Sequence, residues 1–138
     1  MVRVVVTALL LSMLAAHPGF TQPARVEVIF HMPAQDEAGV SLQAPIRLQF
    51  SADLDPSTLS NNVTLQYSIE DSRDRGEPEP PAIRFTAAYD GKDRSVTIRP
   101  SARWERFREV RLRLAEGIRG TSGAPLAPFA LRFTTGGS

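Results

Sequence analysis

The chain has 138 residues, of which 42% are hydrophobic and 22% charged, with a formal net charge of +1 and no cysteine. That length supports one hydrophobic core and is short for two. The missing cysteines exclude disulfide staples, thiolate chemistry and a lipid-modified cysteine anchor.

The amino terminus differs in kind from the rest. "MVR" supplies one positive charge, residues 4–16 are almost unbroken apolar sequence, and "HPGFTQPA" follows. A bilayer span takes about 20 apolar residues, whereas a shorter apolar run behind a basic residue is the pattern of a secretory signal. Residues 1–22 are therefore read as a signal peptide, with cleavage bracketed between Ala16 and Pro23, and residues 23–138 as one mature domain with no transmembrane anchor. The competing reading of "RVVVTALLL" as a buried first strand suits its β-branched residues but not its Arg-then-apolar order.

Loss of Arg3 with the signal leaves 15 basic and 15 acidic residues. They are unevenly placed: residues 23–98 hold 7 Lys and Arg against 12 Asp and Glu, and residues 99–138 hold 8 against 3. Such asymmetry bears on association more than on fold.

Apolar residues then alternate with polar ones in seven runs: Val26, Val28, Phe30; Ile46, Leu48, Phe50; Val63, Leu65, Tyr67, Ile69; Ile83, Phe85, Ala87, Tyr89; Val96, Ile98; Val110, Leu112, Leu114; and Phe129, Leu131, Phe133. Period two with polar residues between predicts strands that bury one face and wet the other. Between the second and third runs, "DLDPSTL" places Asp55 as an N-cap before Pro56, a single helical turn at which the chain crosses between sheets while Leu54 and Leu59 close the core. Residues 70–81, "EDSRDRGEPEPP", are read as an exposed loop, because three prolines cannot join a ladder. Asp90-Gly91 is read as a hairpin turn with Gly91 at positive φ. The whole predicts an all-β, seven-stranded antiparallel sandwich.

The segments "MPAQDEAGVSLQAPIRLQFSADLDPSTL", "YDGKDRSVTIRP", "VRLRLAEGIRGTSGAPLAP" and "FALRFTT" together resemble the bacterial Ig-like family first recognised in surface-layer proteins, over residues 25–136. The resemblance implies a secreted or surface-displayed Ig-like β-sandwich of the spacer or adhesive kind. Two positions depart from the family pattern: Gly120 stands where an acidic residue is usual, and Val110 where an aromatic is frequent. These predict the loss of a turn-organising hydrogen bond and of a polar-tipped core anchor.

Catalytic chemistry finds little footing. With no Cys and only His17 and His31, a nucleophile has no evident base, and His31 is expected in a loop after the first strand. Asp53 and Asp55 sit two apart on the corner rather than across a cleft, and Asp55 is already a cap. Asp71, Asp74, Glu77 and Glu79 share a loop that calcium could use, but Arg73 and Arg75 interleave with them, which favours a solvated loop. Trp104 with Arg103, Arg106 and Arg108 suggests either a patch for anionic glycans or an indole covering the core with a wet edge; the second is preferred. Nucleic acid is not expected as a partner, since most aromatics fall on core-facing positions.

Small periplasmic copper-carrier sandwiches look similar over the same corner, and cleavage after Ala16 would expose His17 as an amine-plus-imidazole ligand. The final turn, "TSGAPLAP", offers no Asp or His to complete such a set. The preferred reading is an exported, monomeric, non-enzymatic module without a cofactor, periplasmic or extracellular, that acts in binding, adhesion or display at the cell envelope. Its partner would be an envelope protein or an anionic polysaccharide. Arg111, Arg113 and Arg132, alternating with core residues on the last two strands, are the candidate anionic-partner face.

Overall fold

The computed structural model describes residues 24–138; residues 1–22, read above as a signal peptide and including His17, and Pro23 lie outside them. Strands β1 (Val28–Met32), β2 (Ile46–Phe50), β3 (Val63–Tyr67), β4 (Phe85–Asp90), β5 (Ser95–Pro100), β6 (Glu109–Leu114) and β7 (Phe129–Thr134) form along with one short helix, α1 (Ile69–Asp74). The strands build two antiparallel sheets, ordered β1-β2-β5-β4 and β3-β6-β7. Alternation does what it predicts: Ile46, Leu48 and Phe50 from one sheet, and Leu65, Val110, Leu112, Leu131 and Phe133 from the other, fill the space between them. This is the expected seven-stranded Ig-like sandwich.

The corner between β2 and β3 forms as read. Asp55 is extended, its Oδ1 accepts from the Ser57 N–H at 3.0 Å, and Pro56 opens a 3-10 turn, Pro56–Thr58. Leu54 and Leu59 are buried on either side of it.

Several local expectations are corrected. Residues 70–81 are not wholly loop, and Ile69 does not extend β3. Ser68 instead caps α1, its hydroxyl accepting from the Asp71 N–H, with Glu70 and Asp71 in the first turn where the helix dipole favours carboxylates. Phe30 does not enter the core. A bulge between Val28 and Phe30 turns it outward, so that Ile29, Phe30 and Met32 are all exposed. His31 belongs to β1 rather than to a loop; its Nδ1 lies 2.8 Å from the Pro33 carbonyl and its ring 5.4 Å from that of Phe129. In the β4–β5 hairpin the positive φ falls on Arg94 (56°), not on Gly91, and Asp90 Oδ1 steadies the turn by accepting from the Lys92 N–H.

Trp104 has no wet edge: it is 2% exposed, and Nε1–H donates to the Ala44 carbonyl at 2.8 Å. Val110 is fully buried, so an aliphatic residue completes the core there. In the turn around Gly120, Gly120 N–H donates to Ala124 O and Gly123 N–H to Gly120 O, each at 2.9 Å, and the Arg119 side chain adds Nη1–H to Gly123 O at 3.1 Å. A Cβ on Gly120 would come within 3.0 Å of Val26 Cγ2 and 3.1 Å of Asp53 O, so the acidic residue usual there would press on both.

Candidate functional site

Register places the three candidate arginines on one outer face. Arg111 stands opposite Gln66 on β3 and Arg132 on β7; Arg113 stands opposite Thr64 and Ala130. With Gln35 they line a depression of about 420 Å³. Three cations on adjoining strands repel one another unless something relieves them, and carboxylates relieve two. Arg111 Nε donates to Glu109 Oε1 at 2.8 Å, and Nη2 lies 3.2 Å from Glu70 Oε2. Arg132 Nε donates to Asp36 Oδ1 at 2.5 Å. That hydrogen bond and the Asp36 charge hold the Arg132 guanidinium above its ordinary pKa. Glu70 lies below its own, chiefly through a backbone hydrogen bond and the Ser68 hydroxyl, with Arg111 adding to them.

Asp36 reaches Arg132 because the segment after β1 covers the free edge of β7. The Asp36 N–H donates to Arg132 O, Val40 N–H to Thr134 O, and Thr134 N–H to Glu37 O. Arg113 is exposed and, among the described residues, has no ion-pair partner. Sequence reading groups the three as equivalent; the structure makes two of them fixed dipoles and leaves one available charge.

Arg108 overturns the reading of a basic surface patch around Trp104. Its side chain is 6% exposed, beneath α1, where Nη1 meets Glu105 Oε2 at 2.8 Å and Glu77 Oε2 at 3.0 Å. Nη2 donates to Ser72 Oγ at 2.9 Å, and Nε faces Asp71 Oδ2 at 3.0 Å, off the line of a good hydrogen bond. The guanidinium also lies 5.0 Å from the centre of the Tyr67 ring. Asp71 and Glu77, weighed above as calcium ligands or solvated charges, are thus committed to Arg108. The cluster is structural glue: it ties a six-residue helix, too short to stand alone, to the sandwich.

Beside this cluster lies a cavity of about 530 Å³ that sequence reading misses. One wall is the strap that runs from α1 to β4 and carries Pro78, Pro80 and Pro81; the other is the β5–β6 connection, with Ser101, Ala102, Arg103 and Glu105, and Tyr67 also lines it. Tyr67 is 9% exposed, and its hydroxyl oxygen accepts from the Glu105 N–H at 2.8 Å. Burial raises its pKa above the ordinary 10.0, which keeps the phenol protonated. The sequence signal was the "EPEPP" run, whose prolines cannot join a ladder and so must lie over something else.

The remaining acid/base candidates are occupied. Asp53 is held by Tyr89, whose hydroxyl donates to Oδ1 at 3.2 Å, and by Arg94 at 3.6 Å, while Asp55 caps its turn. Among the described residues no three His, Asp or Glu side chains are grouped to hold a metal ion, and no helix is long and apolar enough to cross a membrane.

By sequence, the profile of the bacterial Ig-like domain matches residues 22–135. No curated protein matches the chain. Among solved structures, the fold is similar to the surface layer protein SbsC, domains 1–6, with a TM-score of 0.55 and 10% identity over 82% of this chain and 14% of that one. It is similar also to PcoC, a methionine-rich copper resistance protein from Escherichia coli, with a TM-score of 0.57 and 18% identity over 81% of this chain and 99% of that one. CopC from Methylosinus trichosporium OB3b follows at a TM-score of 0.53 and 12% identity, over 81% and 94%. At such identities the likeness is one of fold, and the chain spans only a seventh of the surface-layer structure.

Proposed function

The chain belongs to the bacterial Ig-like domain family, and from that premise we propose that it is exported under the direction of residues 1–22 and serves as a non-enzymatic binding module of the cell envelope. Its outer β3-β6-β7 face meets an anionic polymer, of the acidic polysaccharide kind, through Arg113. The observation that carries this reading is the contrast on that face: Arg111 and Arg132 are held by carboxylates, while Arg113 projects beside them without one. One unpaired cation on this face, among the described residues, makes a weak, salt-sensitive contact, useful where many copies or a repeating polymer multiply it.

The experiment is retention of the purified domain on an immobilised acidic polysaccharide, eluted with salt. Retention at low ionic strength, lost near physiological salt as the Debye length falls to about 8 Å, supports the proposal. Passage in the void volume at low salt refutes it.

A copper-carrier function is the second reading. The observation that favours it is the likeness to PcoC over 99% of that protein. The ligand it would require, His17, lies outside the described residues. Intact-mass analysis of the exported protein decides its premise: a mature chain beginning at His17 keeps copper in play, and any later start removes it.

A further inference from the structure

The cavity beneath the proline strap has the construction of a small-ligand site. Its volume of about 530 Å³ falls within the range of roughly 300–1,000 Å³ typical of such sites. Its strap wall is stiff, because prolines have fixed φ and little entropy to lose when a ligand arrives. The strap is anchored at one end by the Glu77–Arg108 ion pair and at the other by the Ile83 N–H, which donates to the Leu65 carbonyl at 2.9 Å.

Three polar features converge on this frame. Tyr67 is more than nine-tenths buried; its oxygen is engaged by Glu105 N–H, but among the described residues no acceptor takes its phenolic proton. Arg84 and Arg103 line the cavity, and both are exposed without an ion-pair partner among the described residues. Glu79, likewise exposed and unpaired, stands on the strap side and can accept from hydroxyl groups.

We propose that this cavity is a binding site for a uronic-acid sugar unit. The carboxylate lies between Arg84 and Arg103, a hydroxyl or ring oxygen accepts from Tyr67, and the apolar edge of the pyranose rests on Pro78, Pro80 and Pro81. A ligand with one carboxylate and several hydroxyls satisfies two free cations, one buried donor and one free carboxylate at once, which neither a simple anion nor an apolar molecule does. The inference rests on the reading of the domain as a receptor for acidic polysaccharide and names a second, shape-selective contact on a different part of the molecule.

The test is chemical-shift mapping of the ¹⁵N-labelled domain with the trimer of galacturonic acid and, in parallel, with a neutral galactose trimer. The acidic trimer is expected to shift Tyr67 and residues 77–84 and 101–105 at millimolar concentration. The neutral trimer, and Arg84→Gln/Arg103→Gln with the acidic trimer, should bind about tenfold more weakly. Both arginines are exposed, so the double variant should keep the wild-type melting temperature. Tyr67→Phe should weaken binding several-fold, read from the shifts of residues 77–84 and 101–105. No shifts in these segments, equal binding of the neutral trimer, or undiminished affinity in the double arginine variant would overturn the site. Polymer retention that still depends on Arg113 in that event would leave the face reading intact, whereas trimer shifts without polymer retention would overturn the face and support the cavity.

Discussion

Arg111 on β6 is paired directly with Arg132 on β7, and each guanidinium is met by carboxylate: Glu109 of its own strand and Glu70 for Arg111, Asp36 for Arg132. Two like charges at paired positions would weaken the sheet. The carboxylates make the pairing tolerable, and the anion-binding capacity of the face then depends on which arginines they leave free.

Removing one of those carboxylates should therefore strengthen anion binding. Asp36 sits at φ 61°, a conformation that asparagine adopts nearly as well as aspartate, so Asp36→Asn should keep the turn while releasing Arg132. The variant should elute from an acidic polysaccharide column at higher salt than the wild type. Unchanged elution would show that Arg132 takes no part in binding.

The Arg108 cluster should dominate the stability of α1. Arg108→Met keeps much of the side-chain volume but strands Asp71, Glu77 and Glu105 without their cation. Breaking a buried pair typically costs 3–5 kcal/mol, and because these carboxylates retain 27–59% of their exposure the expected loss is nearer about 2–3 kcal/mol. Hydrogen exchange should show residues 69–76 losing protection well before the sheets. Unchanged protection there would mean that the helix is held by something other than Arg108.

Burial raises the Tyr67 pKa above 10.0, and that has a pH signature. Unfolding releases a phenol that ionises near its ordinary value, so the native state binds more protons above that pH. Stability from this group is then complete below about pH 10 and declines as pH rises toward the folded pKa. Tyr67→Phe should flatten the alkaline limb of stability against pH. An alkaline limb as steep in the variant as in the wild type would assign it to other groups.

Asp55→Ala should lower stability by about 0.5–2 kcal/mol, the usual loss for an N-cap, with the fold unchanged by circular dichroism. An unaltered denaturation midpoint would show that the corner does not depend on its cap.

The corner was legible because its determinants are adjacent: Asp55, Pro56 and Ser57 act on one another within three residues. Strand alternation was legible wherever one face is buried throughout, as from Val110 to Leu114, but a single extra residue at Ile29 reversed it and put Phe30 outside. The helix α1 was hidden for a different reason. Ser68 and Asp71 carry a local capping signal, yet a helix of six residues is too short to stand alone, and the cation that ties it to the sandwich, Arg108, comes from far along the chain. The burial of Arg108 itself has no sequence signature, since "RWERFRE" lacks period two, and an arginine there reads as surface. The triplet Arg111, Arg113 and Arg132 was placed on one face by alternation, while the partners that divide it include Asp36 and Glu70, distant in sequence, from the segment after β1 and from α1.

The most direct test of the central claim compares single substitutions at paired and unpaired arginines of that face. Wild type, Arg113→Gln, Arg111→Gln and Arg132→Gln would be run on the same acidic polysaccharide column across a salt gradient. Each loses one positive charge, so the variants differ only in whether the lost cation was already held by a carboxylate. The account predicts that Arg113→Gln lowers the eluting salt the most of the three, and that Arg111→Gln and Arg132→Gln, whose charges are locally compensated, lose much less. Equal losses in all three would reduce binding to net charge, and full retention of Arg113→Gln would contradict the account outright.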